Sequence, residues 1–367
     1  MRAVKLIAVN LAVFLALVLL VNLVLAIAFE ARSYGSRGSN DPRVDLPNYA
    51  GQDWARTHFE EYNNLKSTYR SYYGWRRQPF DGETITVDNA GLRRTVNGGE
   101  EMRIGFFGGS AMWGTGGRDA ETIPSLVAKT LGAQAVNFGE SSWRAHQSLN
   151  QLMEAYIAQE SFDVVVFYDG ANEVANGCRE ELAPFTHVRQ DFIARRLKPE
   201  LENAMRSLFS PILRFTAAVA RRVTGNKTGP SVAFDCSRDP EKTAHIARML
   251  LADWDMAHMI AARMGARFIG ALQPVAYFSD TPHGHLDLTR YGPPESEFRA
   301  VYPVVRERLG GMSGPDRLTY IDMTDVLDTA DIVYIDFVHL SPNGNAIVAD
   351  RLSKHIERVL EMPIAAQ

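Results

Sequence analysis

Hydrophobic and polar positions divide the chain into two regimes. From Leu6 to Phe29 no residue is charged, and Leu, Val and Ala dominate. A helix needs about 20 such residues to cross a bilayer, so this run predicts a membrane-spanning segment. Asn10 and Asn22 fit within it because neither carries a charge. A cleaved signal peptide ending at Ala26-Ile27-Ala28 is the competing reading, but signal cores are shorter, about 7–15 residues. Beyond residue 100 the pattern alternates between short apolar runs and amphipathic stretches. Strands are predicted at Met102–Phe107, Ala135–Phe138, Phe162–Tyr168, Ala266–Leu272 and Leu318–Ile321. Helices are predicted at Thr122–Leu131, Gln147–Ile157, Glu241–Met264, Glu295–Leu309 and Asn345–Leu360.

Nearly continuous apolar strands between helices imply a parallel sheet covered on both faces. The expected fold is therefore α/β: a doubly wound, about five-stranded parallel sheet with an N-terminal transmembrane helix and a helical insertion. We divide the chain into an anchor (1–29), a linker (30–50), a membrane-proximal, aromatic-rich subregion (51–100) and a main domain (101–367). Within 51–100, Thr84–Val87 reads as a short strand followed by turn residues, and the aromatics read as packing or interfacial. The insertion, residues 179–235, is helix-like and mixed in charge, with a loop near its end at Gly225-Asn226-Lys227-Thr228-Gly229-Pro230.

Composition adds limits. Hydrophobic residues make up 46% and the formal net charge is -4, which excludes a general nucleic-acid binder. The pairs Arg93-Arg94 and Arg221-Arg222 read as solvated surface. Basic residues flank the apolar run on both sides, so charge bias alone leaves its orientation open. A short leader before a large C-terminal domain favours a single-pass signal anchor with the domain on the extracytoplasmic, periplasmic side. Cys178 and Cys236 belong to no CxxC pair. They read either as a bridge across a long loop or as two unrelated buried thiols.

Candidate chemistry gathers where the strands end, as expected for ligands of such a sheet. Gly108-Gly109-Ser110, Gly139 and Gly170-Ala171-Asn172 follow three successive strands, and Asp336-Phe337-Val338-His339 precedes the last helix. A serine on a sharp strand-to-helix turn needs a base and an orienter behind that base, and Asp336 and His339 can supply both from one loop. His283-Gly284-His285, with Asp280 and Asp287 nearby, has the look of a metal site but reads as a solvated loop. Gly114-Thr115-Gly116-Gly117 lacks the Lys-Ser/Thr of a phosphate loop. Met112 breaks a GxSxG elbow.

In this order the segments resemble the SGNH/GDSL hydrolase superfamily, as a membrane-anchored bacterial-type member. Residues 103–118 resemble its first block, Val136-Asn137-Phe138-Gly139 its second, Gly170-Ala171-Asn172-Glu173 its third, and Asp336-Phe337-Val338-His339 its DxxH block. The resemblance covers residues 101–178 and 266–360. Gly109 and Glu173 depart from it, since the family has aspartate at both positions. The resemblance implies a catalytic triad of Ser110, His339 and Asp336, with an oxyanion hole from the Ser110 and Gly139 N–H groups and the Asn172 amide. It also implies an ester substrate, on a lipid or an acylated glycan, with no metal and no cofactor. Two other outcomes fit the same residues: transfer of the acyl group to a surface glycan, or a non-catalytic, membrane-tethered glycan-binding or assembly protein.

Overall fold

A computed structural model describes residues 2–36, 41–183, 185–197, 200–223, 232–288, 292–312, 319–328 and 331–361. The loop expected at 225–230, part of the linker and the first residue of the expected fifth strand lie outside the described residues.

Helix α1 spans Arg2–Ser36 and is apolar enough to cross a membrane over Val4–Ala31. It runs past the expected end at Phe29. Residues 42–49 form two short 3-10 turns rather than open linker, and Tyr49 is buried. Helix α2 (Trp54–Asn64) and two hairpins, β1 (Ser67–Arg70) with β2 (Gly74–Arg77) and β3 (Phe80–Asp81) with β4 (Thr86–Val87), complete the region before residue 100.

The main domain then alternates. Strand β5 (Arg103–Gly108) leads into the four-residue helix α3 (Ser110–Trp113) and then helix α4 (Ile123–Leu131). Thr122 caps α4 through its hydroxyl, Pro124 fits the first turn, and Gly132 closes it at φ 64°. Strand β6 (Gln134–Asn137), helix α5 (Ala145–Ile157), strand β7 (Val164–Asp169) and helix α6 (Ala171–Gly177) follow. Helices α7 (Gln190–Arg196) and α8 (Glu200–Val223) make up the insertion. Helix α9 (Pro240–Arg263), strand β8 (Arg267–Leu272), helix α10 (Glu295–Gly310), strand β9 (Tyr320–Asp322) and helix α11 (Pro342–Glu361) finish the chain.

The five main strands form one parallel sheet in the order β6-β5-β7-β8-β9. Period-two alternation sends Ile104, Phe106, Val164, Val166, Ile269 and Ala271 to the layer of α4 and α11. Phe107, Val165, Phe167, Phe268 and Leu272 face α5, α9 and α10. The doubly wound α/β expectation is met. The chain steps from β5 to β6 on one side and later returns to β7 on the other. The crevice at that switch point is where such sheets hold ligands.

The chain forms two compact units, Met1–Asn40 with Arg189–Val232, and Asp41–Val188 with Ala233–Gln367. In the smaller unit α8 packs against α1. In the larger, the neck of the insertion is closed by a Cys178–Cys236 disulfide. Backbone bonds from Glu180 N–H to the Ala233 carbonyl (2.9 Å) and from Asp235 N–H to the Cys178 carbonyl (3.0 Å) flank it. Of the two readings left open for these cysteines, the structure has the bridge. In the chain-entropy account, a closure of this length stabilises by about 4 kcal/mol. The double variant Cys178→Ser/Cys236→Ser, or reduction of the native chain, is expected to lower the unfolding temperature of the larger unit by several degrees in a thermal melt.

Candidate active site

Ser110 sits at the switch point, on the turn between β5 and α3. Gly108 makes that turn possible: its φ is +149°, and a Cβ there would lie 2.5 Å from the Tyr168 carbonyl. Ser110 is the first residue of α3, so its N–H has no acceptor within the helix and is available to a ligand. On the opposite side, the 334–340 loop is pinched by a Tyr334–Leu340 bridge and by Ile335 N–H bonding the His339 carbonyl at 2.9 Å.

This pinch brings three of the expected residues together. His339 Nε2 lies 2.6 Å from Ser110 Oγ, and His339 Nδ1 lies 2.6 Å from Asp336 Oδ2. The other carboxylate oxygen, Oδ1, accepts the backbone N–H groups of Val338 (2.9 Å) and His339 (2.8 Å). Burial works against the charge on Asp336. The adjacent imidazole and the two amides outweigh it and hold the carboxyl down at about 2. The group is therefore ionised throughout the neutral range and well into acid.

Asn172, at the start of α6, donates one amide N–H to the Trp143 carbonyl at 2.7 Å and retains a second. Gly109 lies against this amide: a Cβ at 109 would sit 2.3 Å from Asn172 Nδ2. A side chain at 109 would therefore have to displace the Asn172 amide. Gly139 is packed against α3, where a Cβ would lie 2.6 Å from the Trp113 nitrogen. Its N–H is already engaged, donating to Asn137 Oδ1 at 3.0 Å. Glu173 ties two of the glycine-marked loops together by accepting Ala145 N–H (2.7 Å) and Gly170 N–H (2.8 Å). Burial raises its pKa, against the pull of Arg144. Burial, with the Glu173 charge behind it, also pushes the neighbouring Asp169 carboxyl well up.

The residues that hold the loop after Ser110 were not legible as such. Because α3 lasts only four residues, the carbonyls after it have no helical partners. Side chains from residues 49–93 take them one after another. Arg93 donates to the carbonyls of Trp113 (3.3 Å), Gly114 and Gly117 (2.7 Å). His58 Nε2 donates to Thr115 (2.9 Å) and Tyr49 Oη to Gly116 (2.7 Å). Burial, then the Arg93 charge, pushes His58 down to about 3, so it works as a neutral donor. Arg93 stacks on Trp113 at 4.3 Å and pairs with Asp119 at 3.1 Å. The solvated-surface reading of Arg93-Arg94 is corrected at Arg93, which is 2% exposed; Arg94 is exposed. Arg76, buried over Trp143 at 4.2 Å, donates to the Gly139 carbonyl at 3.1 Å and to Gln151 at 2.8 Å. It therefore supports both the Gly139 turn and the residue that orients Asn172.

No family model matches the sequence, and no curated protein does. Solved structures similar to this chain are GDSL-type lipolytic proteins and esterases. A member of the lipolytic G-D-S-L family from Veillonella parvula is 13% identical, covering 71% of this chain and 100% of its own, at a TM-score of 0.41. A carbohydrate acetylesterase from Sinorhizobium meliloti is 12% identical over 71% and 100%, at 0.40. A GDSL-like lipase from Bacteroides thetaiotaomicron is 12% identical over 70% and 89%, at 0.37.

Two cavities lie nearby. The larger, 770 Å³, is lined by Tyr277, Phe278, Asp280, His283 and Arg299 and touches none of the three triad-like residues. The smaller, 450 Å³, is walled by Asp336 and Phe337 together with Arg43, Leu46, Leu286 and Leu288. The histidines of the 283–285 loop are engaged by backbone: His283 Nδ1 with the Thr281 carbonyl and His285 Nε2 with that of Tyr334, each at 3.0 Å.

The contrast between the paired arginines is testable by chemical denaturation. Arg93→Met removes the donor of the buried Gly117 carbonyl, one donor each from the Trp113 and Gly114 carbonyls, and the ion partner of Asp119, and is expected to cost about 3–5 kcal/mol. Arg94→Met is expected to stay within about 0.5 kcal/mol of the parent.

Proposed function

We propose that the protein is a membrane-anchored serine esterase or deacylase, using Ser110 as nucleophile, His339 as general base and Asp336 as its orienter. The observation that supports it is the unbroken pair of 2.6 Å contacts from hydroxyl to imidazole to carboxylate. In this reading His339 Nε2 takes the Ser110 proton as Oγ attacks the ester carbonyl. The negative charge on the former carbonyl oxygen is received by the Ser110 N–H and the second N–H of the Asn172 amide. The Gly139 N–H, held by Asn137 Oδ1, joins as a weaker, shared donor and not at full strength. Each full donor is worth about 2.7–4 kcal/mol in the transition state. His339 then returns the proton to the leaving alcohol. A water molecule, deprotonated by the same nitrogen, attacks the acyl carbon; the Oγ–acyl bond breaks, His339 gives the proton back to Ser110 Oγ, and the acid leaves. Asp336 keeps Nδ1 as the protonated nitrogen and stabilises the imidazolium.

The reading includes a place of action. Helix α1 is long and apolar enough to anchor the chain. The Cys178–Cys236 bridge suits an oxidising compartment, which favours the extracytoplasmic side for the larger unit. The substrate is an acyl or acetyl ester carried by a lipid or a glycan.

A fluorophosphonate probe is expected to label the native chain and not Ser110→Ala; equal labelling of both removes Ser110 from its role. Asp336→Asn is expected to lower kcat on a simple aryl ester by about 10⁴-fold through the wrong imidazole tautomer. Since Asp336 keeps its charge down to about pH 2, the acid limb of the kcat/KM profile should not follow its ionisation. Gly109→Ala displaces the Asn172 amide and is expected to reduce kcat by about 10²-fold with KM little changed.

A further inference from the structure

We propose that α8 is a second membrane element, an amphipathic helix seated in the bilayer interface beside α1, with lipid as the partner of its exposed apolar side chains. The proposal rests on α1 spanning the membrane and concerns only the smaller unit.

Asn22 is 6% exposed, whereas its neighbours Val21 and Leu23 are more than half exposed. Its carboxamide Nδ2 donates to the Leu208 carbonyl, and its Oδ1 accepts the Ile212 N–H at 3.3 Å. Those two groups are four residues apart, the pair that an unbroken helix joins to each other. They straddle Pro211, which sits inside α8 and weakens that turn. A polar side chain in an apolar span and a proline-loosened backbone thus satisfy each other. In hydrocarbon, both would otherwise be unpaired.

The depth of this contact decides what surrounds α8. The apolar stretch Val4–Ala31 is 28 residues, about 42 Å at helical rise. Asn22 lies about 7 Å from its midpoint, well inside a hydrocarbon core about 30 Å thick. Wherever a bilayer is centred on that stretch, the middle of α8 is below its surface by about 8 Å. An interfacial helix buries its apolar face by about 5–10 Å. The apolar part of α8, Leu208–Ala220, is too short to cross, so it lies within the interface instead.

The side chains agree with this placement. Leu208, Phe215 and Val219, spaced seven and four apart, share one face and are 44–48% exposed, while Leu213, 58% exposed, lies well round the helix from them. Arg214 falls on the far side of the helix and is exposed. Arg222, in the last turn of α8, is exposed as well, and two exposed arginines suit anionic headgroups.

Among the described residues both cysteines are in the disulfide, so single cysteines can be labelled without reduction. An NBD probe is placed at Phe215→Cys in α8, at Leu19→Cys in α1 and at the exposed Tyr72→Cys as an aqueous reference. The full chain is reconstituted in phosphatidylglycerol/phosphatidylcholine vesicles. The α8 probe is expected to be quenched by doxyl-labelled lipid and to lose quenching by aqueous iodide, matching the α1 probe. Asn22→Leu is expected to weaken quenching of the α8 probe by deep doxyl lipid while leaving the α1 probe unchanged. If the α1 probe itself is iodide-accessible, the anchor reading fails. If only the α8 probe is iodide-accessible, the α8 proposal fails. Protection of the α8 probe from both quenchers assigns its face to protein and overturns the lipid proposal.

Discussion

The His339 ring is held between two hydrogen bonds of 2.6 Å, and the rest of the larger unit can be understood as what makes that geometry possible. Ser110 and His339 are 229 positions apart in the chain. A parallel sheet brings them together because every strand delivers its carboxyl end to the same edge, and the connection order opens a crevice between β5 and β7. The aspartate adds a local constraint. By accepting the amides of Val338 and His339 on one oxygen, it fixes the loop that presents the ring to the other.

A second constraint is less familiar. Ending α3 after four residues leaves a run of carbonyls without helical donors. A buried, unbonded carbonyl costs about 1–3 kcal/mol. Residues 49–93 meet this cost with Tyr49, His58 and Arg93, and with Arg76 one loop further on. Guanidinium groups are themselves expensive to bury. Here Arg93 is offset by three backbone carbonyls, the Trp113 face and Asp119, and Arg76 by the Gly139 carbonyl, Gln151 and the Trp143 face. Residues 49–93 are therefore a template for the loop that carries Ser110.

This explains what was legible in the sequence and what was not. Strand β7 was read nearly to the residue because all of Val164–Asp169 is buried, which leaves a continuous apolar run. The paired glycines before Ser110 and the Asp336–His339 spacing were legible because turns and loops of that kind demand particular residue types. The role of Arg93 was not. Its partners are backbone carbonyls, which have no sequence signature, and adjacent arginines look the same whether one or both meet water. Helix α6 escaped notice because seven residues carry too little periodicity. The engaged state of the Gly139 N–H depends on where the Asn137 side chain points, which spacing cannot give.

The neck of the insertion has an implication for how such a chain can diversify. Residues 180 and 233 are already backbone neighbours, bonded across a bridged stem. Whatever is spliced between them inherits a closed base and places little demand on the sheet. Lengthening, shortening or exchanging that segment is thus an inexpensive route by which one α/β core could be fitted to different surfaces.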